Sequence, residues 1–174
     1  MLAVHGGYET CLAKLIQADC DIEDKDKEGW TLAMFAAIDG HDICLAQLIA
    51  AGCDIEAKSV NGWTAAMYAA IHGHEVCLAQ LIDAGCNVNA QNHRGETAAM
   101  YAARNGKESC LAQLIDAGCN IEVNNVDGWT AAMMAEERGR MDCVTMINAE
   151  IERRALRNAL LKGESRRQKA SLRV

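Results

Sequence analysis

The chain contains no proline, and aromatic residues make up only 4% of its 174 residues. It also lacks any run of eighteen apolar residues, so we expect no membrane-spanning helix. The first residues, Met1 to His5, have no basic start followed by a long apolar stretch, so we expect no signal peptide. Because 51% of the residues are apolar but few are aromatic, alanine and leucine must fill the interior, which suits closely packed short helices.

Motifs that mark common catalytic sites are absent as well. No glycine-rich phosphate loop, Gly-x-Ser-x-Gly elbow or His-Glu-x-x-His pair occurs in the sequence. The acidic residues lie in predicted loops and on predicted outer helix faces, which is typical of solvated surface. We therefore predict that the protein is not an enzyme, has no catalytic residues and needs no cofactor.

The cysteines recur at a fixed spacing in two series and never form a Cys-x-x-Cys pair, so we predict no metal site. Equivalent thiols one period apart would be separated by a helix-packing distance of about 8–10 Å. A disulfide allows only about 7 Å between Cα atoms. We therefore predict reduced thiols buried as small hydrophobic groups, and from them a reducing, cytoplasmic location. The two series are Cys11, Cys44, Cys77, Cys110 and Cys143, and Cys20, Cys53, Cys86 and Cys119.

Charge is distributed unevenly along the chain. Residues 1–147 carry 9 Lys/Arg against 21 Asp/Glu, a net charge of −12, whereas residues 148–174 carry 8 against 3, a net charge of +5. Phosphate contacts need clustered basic side chains, so we expect no nucleic acid to bind the acidic body. The basic C-terminal part leaves another reading open, in which it binds an acidic membrane surface or nucleic acid.

The sequence repeats itself with a period of 33 residues, which indicates a stack of equivalent structural units. One unit begins with Gly62-Trp63-Thr64, and an equivalent unit begins one period earlier with Gly29-Trp30-Thr31. It begins again at Gly95-Glu96-Thr97 and at Gly128-Trp129-Thr130. The shared pattern is Gly-x-Thr-x-x-x-x-Ala-Ala-x-x-Gly-His, followed by Leu-Ile-x-Ala-Gly-Cys.

This pattern resembles the ankyrin repeat over roughly residues 1–150. The resemblance implies an all-α solenoid of helix–turn–helix pairs joined by extended loops or hairpins. The first unit begins halfway through its first helix, either because the chain is a piece of a longer array or because a shortened unit forms an N-terminal cap. We divide the chain into a partial repeat at residues 1–25, repeats at 26–58, 59–91, 92–124 and 125–150, a helical extension at 151–163, and a basic, disordered tail at 164–174.

Each repeat has recognisable helix boundaries. Thr31 is a predicted N-cap, followed by a first helix over Leu32–Asp39 that ends at Gly40 with a positive φ. A second helix over residues 42–51 buries leucine and cysteine and stops before Gly52. In the partial first repeat, the second helix is predicted at Glu9–Gln17.

The last repeat lacks the Ala-Gly-Cys turn, and no glycine follows until Gly163. We therefore predict one long C-terminal helix from about Asp142 to Leu161. Val144, Ile147, Ile151 and Ala155 would form its apolar stripe, and its far half would project beyond the stack.

The chain departs from the family signature Thr-Pro-Leu-His, which here reads Thr-Ala-Ala-Met, as at Thr64 to Met67. The proline that presets the first helical residue and the histidine that bonds the threonine hydroxyl in the family are both missing. Threonine capping of the backbone survives this change, and methionine supplies packing instead. The resemblance further implies structural roles for His41 and His74, which follow the conserved glycines.

In ankyrin arrays the loop tips and the exposed face of the first helix line a concave groove that binds protein partners. The corresponding positions here vary between repeats, while the predicted core positions stay constant. All three tryptophans occupy one repeat position, where they either bind a partner or stiffen the loops. The predicted partner-binding residues are Lys27, Trp30, Ile38, Asp39, Lys58, Val60, Trp63, Ile71, His72, His93, Arg94, Glu96, Arg104, Asn105, Val126, Asp127, Trp129 and Arg138.

Two functions remain in competition on sequence grounds. The first is a protein-interaction scaffold or adaptor that holds an unidentified protein partner in the groove and is itself a monomer. The second is a structural or self-assembling module, alone or as a piece of a larger multidomain protein, that uses the basic C-terminal helix. In this reading the acidic body of one copy pairs head to tail with the basic helix of another, or the projecting Leu156, Leu160 and Leu161 mediate dimerisation.

Overall fold

The computed structural model describes the backbone of residues 2–171 and the side chains of residues 3–162 other than His5. Every regular element in this part of the chain is an α-helix, and the helices alternate between the first and the second member of a pair. The first helices are α1 (Leu2–His5), α3 (Leu32–Asp39), α5 (Ala65–His72), α7 (Ala98–Arg104) and α9 (Ala131–Glu137). The second helices are α2 (Glu9–Gln17), α4 (Asp42–Ala50), α6 (Glu75–Asp83), α8 (Glu108–Asp116) and α10 (Met141–Ser171). The predicted all-α class is confirmed.

Threonine begins the first helix in each of the four later pairs. The Oγ1 atom of Thr31 accepts a hydrogen bond from the backbone N–H of Met34 at 3.3 Å, and Thr64, Thr97 and Thr130 cap their helices in the same way. Helix α3 ends at Gly40, whose φ of 74° is in the left-handed region. The predicted bounds of α2 and α3 are confirmed, and α4 ends one residue earlier than predicted.

The helices form two layers. First helices pack on first helices along the row α3, α5, α7 and α9, and second helices pack on second helices along α4, α6 and α8. Alanine pairs such as Ala36 and Ala37 are fully buried in the first layer, where their small side chains let the helices approach closely. Leu45, Leu48 and their repeat equivalents fill the space between the layers.

Polar contacts also join neighbouring pairs. A ring nitrogen of His74, Nε2, lies 3.0 Å from the carbonyl oxygen of Ile38 at the end of α3. His41 lies beside Gly7 in the equivalent place one repeat earlier. The predicted structural role of His74 is therefore confirmed, because its ring satisfies a carbonyl group that the helix end leaves without an intrahelical partner.

The cysteines are free thiols in this structure, but they are not all buried. Cys11 and Cys20 are exposed and Cys53 is half-buried, whereas the other six thiols are buried. The expectation of burial is therefore wrong for Cys11 and Cys20. Cys11 lies on α2 and Cys20 in the loop that follows it, and no earlier helix pair among the described residues covers this repeat.

The predicted long C-terminal helix is present, but its predicted end is wrong. Helix α10 continues past Leu161 and through Gly163 to Ser171, so residues Glu164–Ser171 have a helical backbone instead of forming a disordered tail. A glycine costs a helix interior only about 1 kcal/mol relative to alanine, which an otherwise continuous helix tolerates. Residues 172–174 of the expected tail lie outside the described part of the chain.

The near half of α10 packs on the stack, whereas its described side chains beyond Arg154 are exposed. Val144 and Ile147 are buried and Ile151 is partly buried, but Ala155 is exposed, so the apolar stripe is one turn shorter than predicted. Among the described side chains of α10, Arg154 is the last one that is hydrogen-bonded to an earlier repeat: its Nη1 atom donates to the carbonyl of Cys119 at 2.9 Å. Beyond it Leu156, Leu160 and Leu161 are exposed, as expected of a projecting helix. Among the described helices, none combines the length and hydropathy needed to cross a membrane.

Candidate protein-binding face

Four tight turns precede the later first helices, and we call them tip turns: residues 26–30, 59–63, 92–96 and 125–129. In each one the first and fifth residues are joined through the backbone, as between the N–H of Ser59 and the carbonyl of Trp63 at 2.9 Å. The side chain of the first residue also accepts from the backbone N–H of the fifth. In the first tip turn this bond joins Asp26 Oδ1 to the N–H of Trp30 at 2.8 Å. These bonds hold all four turns in one shape.

Successive tip turns are hydrogen-bonded to one another in a row. The N–H of Val60 donates to the carbonyl of Glu28 at 2.9 Å, and the N–H of His93 donates to the carbonyl of Asn61 at 3.1 Å. The N–H of Val126 continues the row to the carbonyl of Arg94 at 2.9 Å. The tips therefore form a continuous edge, and their variable side chains are held at fixed spacing along it.

An aromatic row runs beneath these tips. The ring centroid of Trp30 lies 5.3 Å from that of Phe35 in its own repeat and 4.6 Å from that of Tyr68 in the next repeat. Trp63 repeats the arrangement, at 5.1 Å from Tyr68 and 4.3 Å from Tyr101. Aromatic pairs at these distances stabilise beyond the area they bury. The geometry therefore shows Trp30 and Trp63 joining adjacent repeats, whatever their partly exposed edges also contact.

Glu96 occupies the tryptophan position of the third tip turn and differs from what we expected of a groove residue. Its side chain is only 2% exposed, and it accepts hydrogen bonds from the hydroxyl of Tyr101 and from Nδ2 of Asn92, the latter at 3.2 Å. Asn92 Nδ2 also lies 2.9 Å from the Tyr101 oxygen. Burial and the neighbouring Glu96 carboxyl raise the pKa of Tyr101 far above its usual value. Glu96 therefore takes the tryptophan's place in the aromatic row, and its carboxyl is hydrogen-bonded within its own repeat instead of being exposed at the surface.

The remaining predicted residues are at or near the surface. Arg94 and Asp127 pair across neighbouring tips at 3.2 Å, and because both are exposed this contact contributes little to stability. Partial desolvation and the nearby His74 and Lys107 lower the pKa of the surface residue His72, which favours its neutral form at pH 7. Exposed positions are Lys27, Lys58, Val60, His72, His93, Arg94, Val126, Asp127, Trp129 and Arg138. Half-buried positions are Trp30, Ile38, Asp39, Trp63, Ile71, Arg104 and Asn105.

Part of the predicted set converges on one cavity of about 270 Å³ between the last two repeats. Arg94 and Arg104 from one repeat and Trp129 and Arg138 from the next contribute to its lining, together with Asn125, Asp127, Met134 and Glu137. Glu96, another predicted residue, also contributes to this lining. The predicted residues of the earlier repeats follow the tip row and the first helices and do not line this cavity. Within the described side chains, no group of three or more His, Cys, Asp or Glu residues is placed to hold a metal ion.

The sequence reasoning missed Phe35, Tyr68 and Tyr101 as partners of the tryptophans. Their spacing offered a signal, since an aromatic residue recurs once per repeat, five residues after each of Trp30, Trp63 and Glu96. Met133 was also missed as a surface residue. Its equivalents Met34, Met67 and Met100 are fully buried, whereas Met133 is 48% exposed.

Comparison with protein-family models matches the chain to ankyrin repeats (3 copies), over residues 1–92 and 77–155. The chain belongs to the ankyrin repeat family. Comparison with curated proteins returned no match. Ankyrin repeats are generally protein–protein interaction modules and are typically non-enzymatic, so the family assigns this chain to protein binding in general terms. The ankyrin stack here keeps the threonine caps and the glycine turns of the family but carries its own aromatic row.

Proposed function

We propose that the protein is an interaction scaffold or adaptor in the cytoplasm that binds a partner protein along its tip turns and first helices, in the groove that ankyrin repeats use. The observation that carries the proposal is the row of hydrogen-bonded tips. It holds variable side chains such as Lys27, Val60 and His93 in register over a core of recurring alanine and leucine residues. A rigid edge with variable side chains reduces the ordering cost of binding while leaving specificity to the individual tips.

Size supports this assignment. A standard protein–protein interface buries about 800 Å² on each partner. Four tip turns and four first helices follow one another in this row, and ten of the predicted partner-binding side chains are exposed on it. The six buried free thiols favour a reducing compartment and hence the cytoplasmic location.

A matched pair of substitutions tests the groove. Val60 is 62% exposed on a tip, and Val76 is 55% exposed in the first turn of α6, in the layer of second helices. After affinity capture of partners with the wild-type chain and their identification by mass spectrometry, each variant is tested for binding of the purified partner. Val60→Arg should weaken binding at least tenfold, whereas Val76→Arg should leave it unchanged. Equal affinities for the two variants would remove the groove from the proposal.

A second candidate function is self-assembly through the projecting half of α10. The observation in its favour is the exposure of Leu156, Leu160 and Leu161, which is unusual for a helix of a monomeric protein. Against it, Arg153, Arg157 and Lys162 would bring like charges together if two copies of this helix paired.

Light scattering on the whole chain distinguishes these candidates. If the helix mediates dimerisation, the wild-type protein has the mass of a dimer and the double variant Leu156→Gln, Leu160→Gln has the mass of a monomer. If the scaffold proposal is right, both proteins are monomers.

A further inference from the structure

The row of tip turns ends at residues 125–129 with its bonding pattern incomplete. Glu28, Asn61 and Arg94 each use their backbone carbonyl to accept an N–H from the following tip. Asp127 is the next residue in this series, and among the described residues no backbone N–H donates to its carbonyl. The last tip therefore presents an acceptor in the place where every earlier tip binds another stretch of backbone.

The glycine of the last tip shows the same vacancy. A Cβ atom placed on Gly29, Gly62 or Gly95 would meet the backbone of the next tip, with the N atoms of Val60, His93 and Val126 at 3.0, 3.0 and 3.2 Å. A Cβ placed on Gly128 would meet nothing within 4 Å. The surface that buries a backbone segment three times within the stack is therefore open at its end.

Partly exposed apolar side chains line the open end of the stack. Trp129 is 38% exposed and Met133 is 48% exposed, and both line a cavity of about 390 Å³ with Asp127, Gly128, Glu136 and Glu137. Within the stack, the equivalent ring of Trp63 is covered by Tyr101 of the next repeat. Trp129 has no such cover among the described residues, so the cavity has room for one large apolar side chain.

The helical part of the same end is polar, which limits what can bind there. Glu136 occupies the position of Ala37, Ala70 and Ala103, all of which are fully buried by the following repeat. Stacking another complete repeat on α9 would bury the Glu136 carboxylate, at a large cost in desolvation. A second copy stacked in register at its first tip turn is also excluded, because its own α1 packs on α3 and would overlap α9.

Charge selects among smaller occupants. Asp127 and Glu137 each have a basic neighbour, Arg94 at 3.2 Å and Arg138 at 4.0 Å, whereas no ion pair involving Glu136 is seen within the described residues. A basic group of a partner that paired with Glu136 would lie in the same cavity as the Trp129 ring, whose face attracts cations.

We propose that this end of the stack binds an extended segment of a partner protein carrying an aromatic or aliphatic residue flanked by arginine or lysine. Its backbone N–H donates to the carbonyl of Asp127, as each successive tip does within the stack. Its apolar side chain covers Trp129 and Met133, and its basic side chain pairs with Glu136. This is strand-like addition to an open edge, with main-chain bonds for affinity and side-chain pockets for specificity. The proposal goes beyond the groove and does not depend on it.

The probe is a bead-bound library of end-blocked hexapeptides with phenylalanine fixed at one position, arginine at a neighbouring position and the others randomised. Peptides retained by the wild-type chain are resynthesised with a fluorescent label, and their dissociation constants are measured by fluorescence anisotropy. We expect Gly128→Ala to weaken binding at least tenfold, because the added Cβ takes the place of the incoming backbone. Glu136→Lys should weaken binding by a similar factor and should prefer the peptide in which glutamate replaces arginine.

Controls separate this site from the groove and from other occupants. Val60→Arg, on a distant tip, should leave peptide binding unchanged, and N-methylation of the peptide backbone should weaken it. If the wild-type chain retains no peptide, or if Gly128→Ala and Glu136→Lys bind as well as wild type, the proposal is wrong. A dimer in light scattering that Gly128→Ala converts to a monomer would also overturn it, since the occupant would then be a second copy.

Discussion

At the scale of single residues, Glu96 shows how one position can be filled by different chemistry. In the two preceding repeats the equivalent position holds a tryptophan that packs between two aromatic rings, as Trp63 packs between Tyr68 and Tyr101. At residue 96 a carboxyl takes the place and bonds the Tyr101 hydroxyl and the Asn92 amide. A buried polar side chain is tolerated here because its neighbours supply the hydrogen bonds that burial would otherwise remove.

Removing one member of the hydrogen-bonded cluster of Glu96, Tyr101 and Asn92 should show how much the cluster contributes to the free energy of unfolding. We expect Tyr101→Phe to lower the free energy of unfolding by about 1–3 kcal/mol, because it takes a donor from a buried carboxyl group. Tyr68→Phe is the matched control, since Tyr68 occupies the same repeat position but its hydroxyl bonds the neutral side chain of Ser59 instead of a carboxyl group, so its loss should be smaller.

Urea denaturation of both variants measures the difference, and a double-mutant cycle with Glu96→Ala isolates the contact. A coupling energy near zero between positions 96 and 101 would show that the hydrogen bond adds nothing to stability.

At the scale of elements, the tip turns are as much a part of the stack as the helices. Gly62 has a φ of 80° and Gly128 a φ of 81°, so an alanine would be strained to a similar extent in either turn. They differ only in their surroundings: a Cβ on Gly62 would meet the N atom of His93 at 3.0 Å, and one on Gly128 would meet open space.

We therefore expect Gly62→Ala to lower the free energy of unfolding by about 1–3 kcal/mol more than Gly128→Ala does, the usual cost of overpacking. The measurement is urea denaturation of the two variants beside wild type. If the two variants lose the same free energy of unfolding, backbone strain alone accounts for the loss and the neighbouring tip moves aside at no measurable cost.

The C-terminal helix is the element whose extent was least predictable. Gly163 suggests a stop when only the sequence is considered, because glycine commonly ends helices in a left-handed conformation. Glycine is also tolerated inside a helix at a cost of about 1 kcal/mol, and the backbone of α10 stays helical through Gly163. Among its described side chains, Arg154 makes the last hydrogen bond to an earlier repeat, at the carbonyl of Cys119. The helical backbone then continues to Ser171.

At the scale of the whole molecule, buried thiols couple folding to alkaline pH. Burial raises the pKa of Cys77, Cys86, Cys110 and Cys119 to about 11, from an ordinary value of 9.0. Between pH 9 and 11 the unfolded chain therefore loses thiol protons that the folded chain retains. Stability is then greatest below pH 9 and falls as the pH rises toward 11, because the unfolded state binds fewer protons.

Urea denaturation at pH 7.5, 9 and 10.5, in the presence of a reductant, should show this fall. The double variant Cys77→Ala, Cys110→Ala should be less stable at pH 7.5 but should lose less stability between pH 9 and 10.5. If its loss over that interval matches that of wild type, the buried thiols are not responsible for the alkaline instability.

Much of the architecture was predictable because its causes are local and repeated. Thr31 and its equivalents cap the first helices through bonds that span three residues, and Gly40 ends α3 through its own backbone preference. Four repetitions of one pattern averaged out the ambiguity of any single segment. The tryptophan contacts were not predictable to the same degree, because they depend on the distance between neighbouring repeats.

The sequence by itself determined the unit: its fixed period, its two helices, their caps and the side chains that they bury. Each of these follows from contacts within a few residues or from a pattern that the chain repeats. The tertiary structure alone decided what happens where the repetition stops. Glu96 is buried because Tyr101 and Asn92 reach it. Among the described residues, no earlier pair covers Cys11 and no further tip follows Trp129, so both are exposed. These outcomes depend on which neighbour is present in space, and a repeating sequence specifies that neighbour only inside the stack.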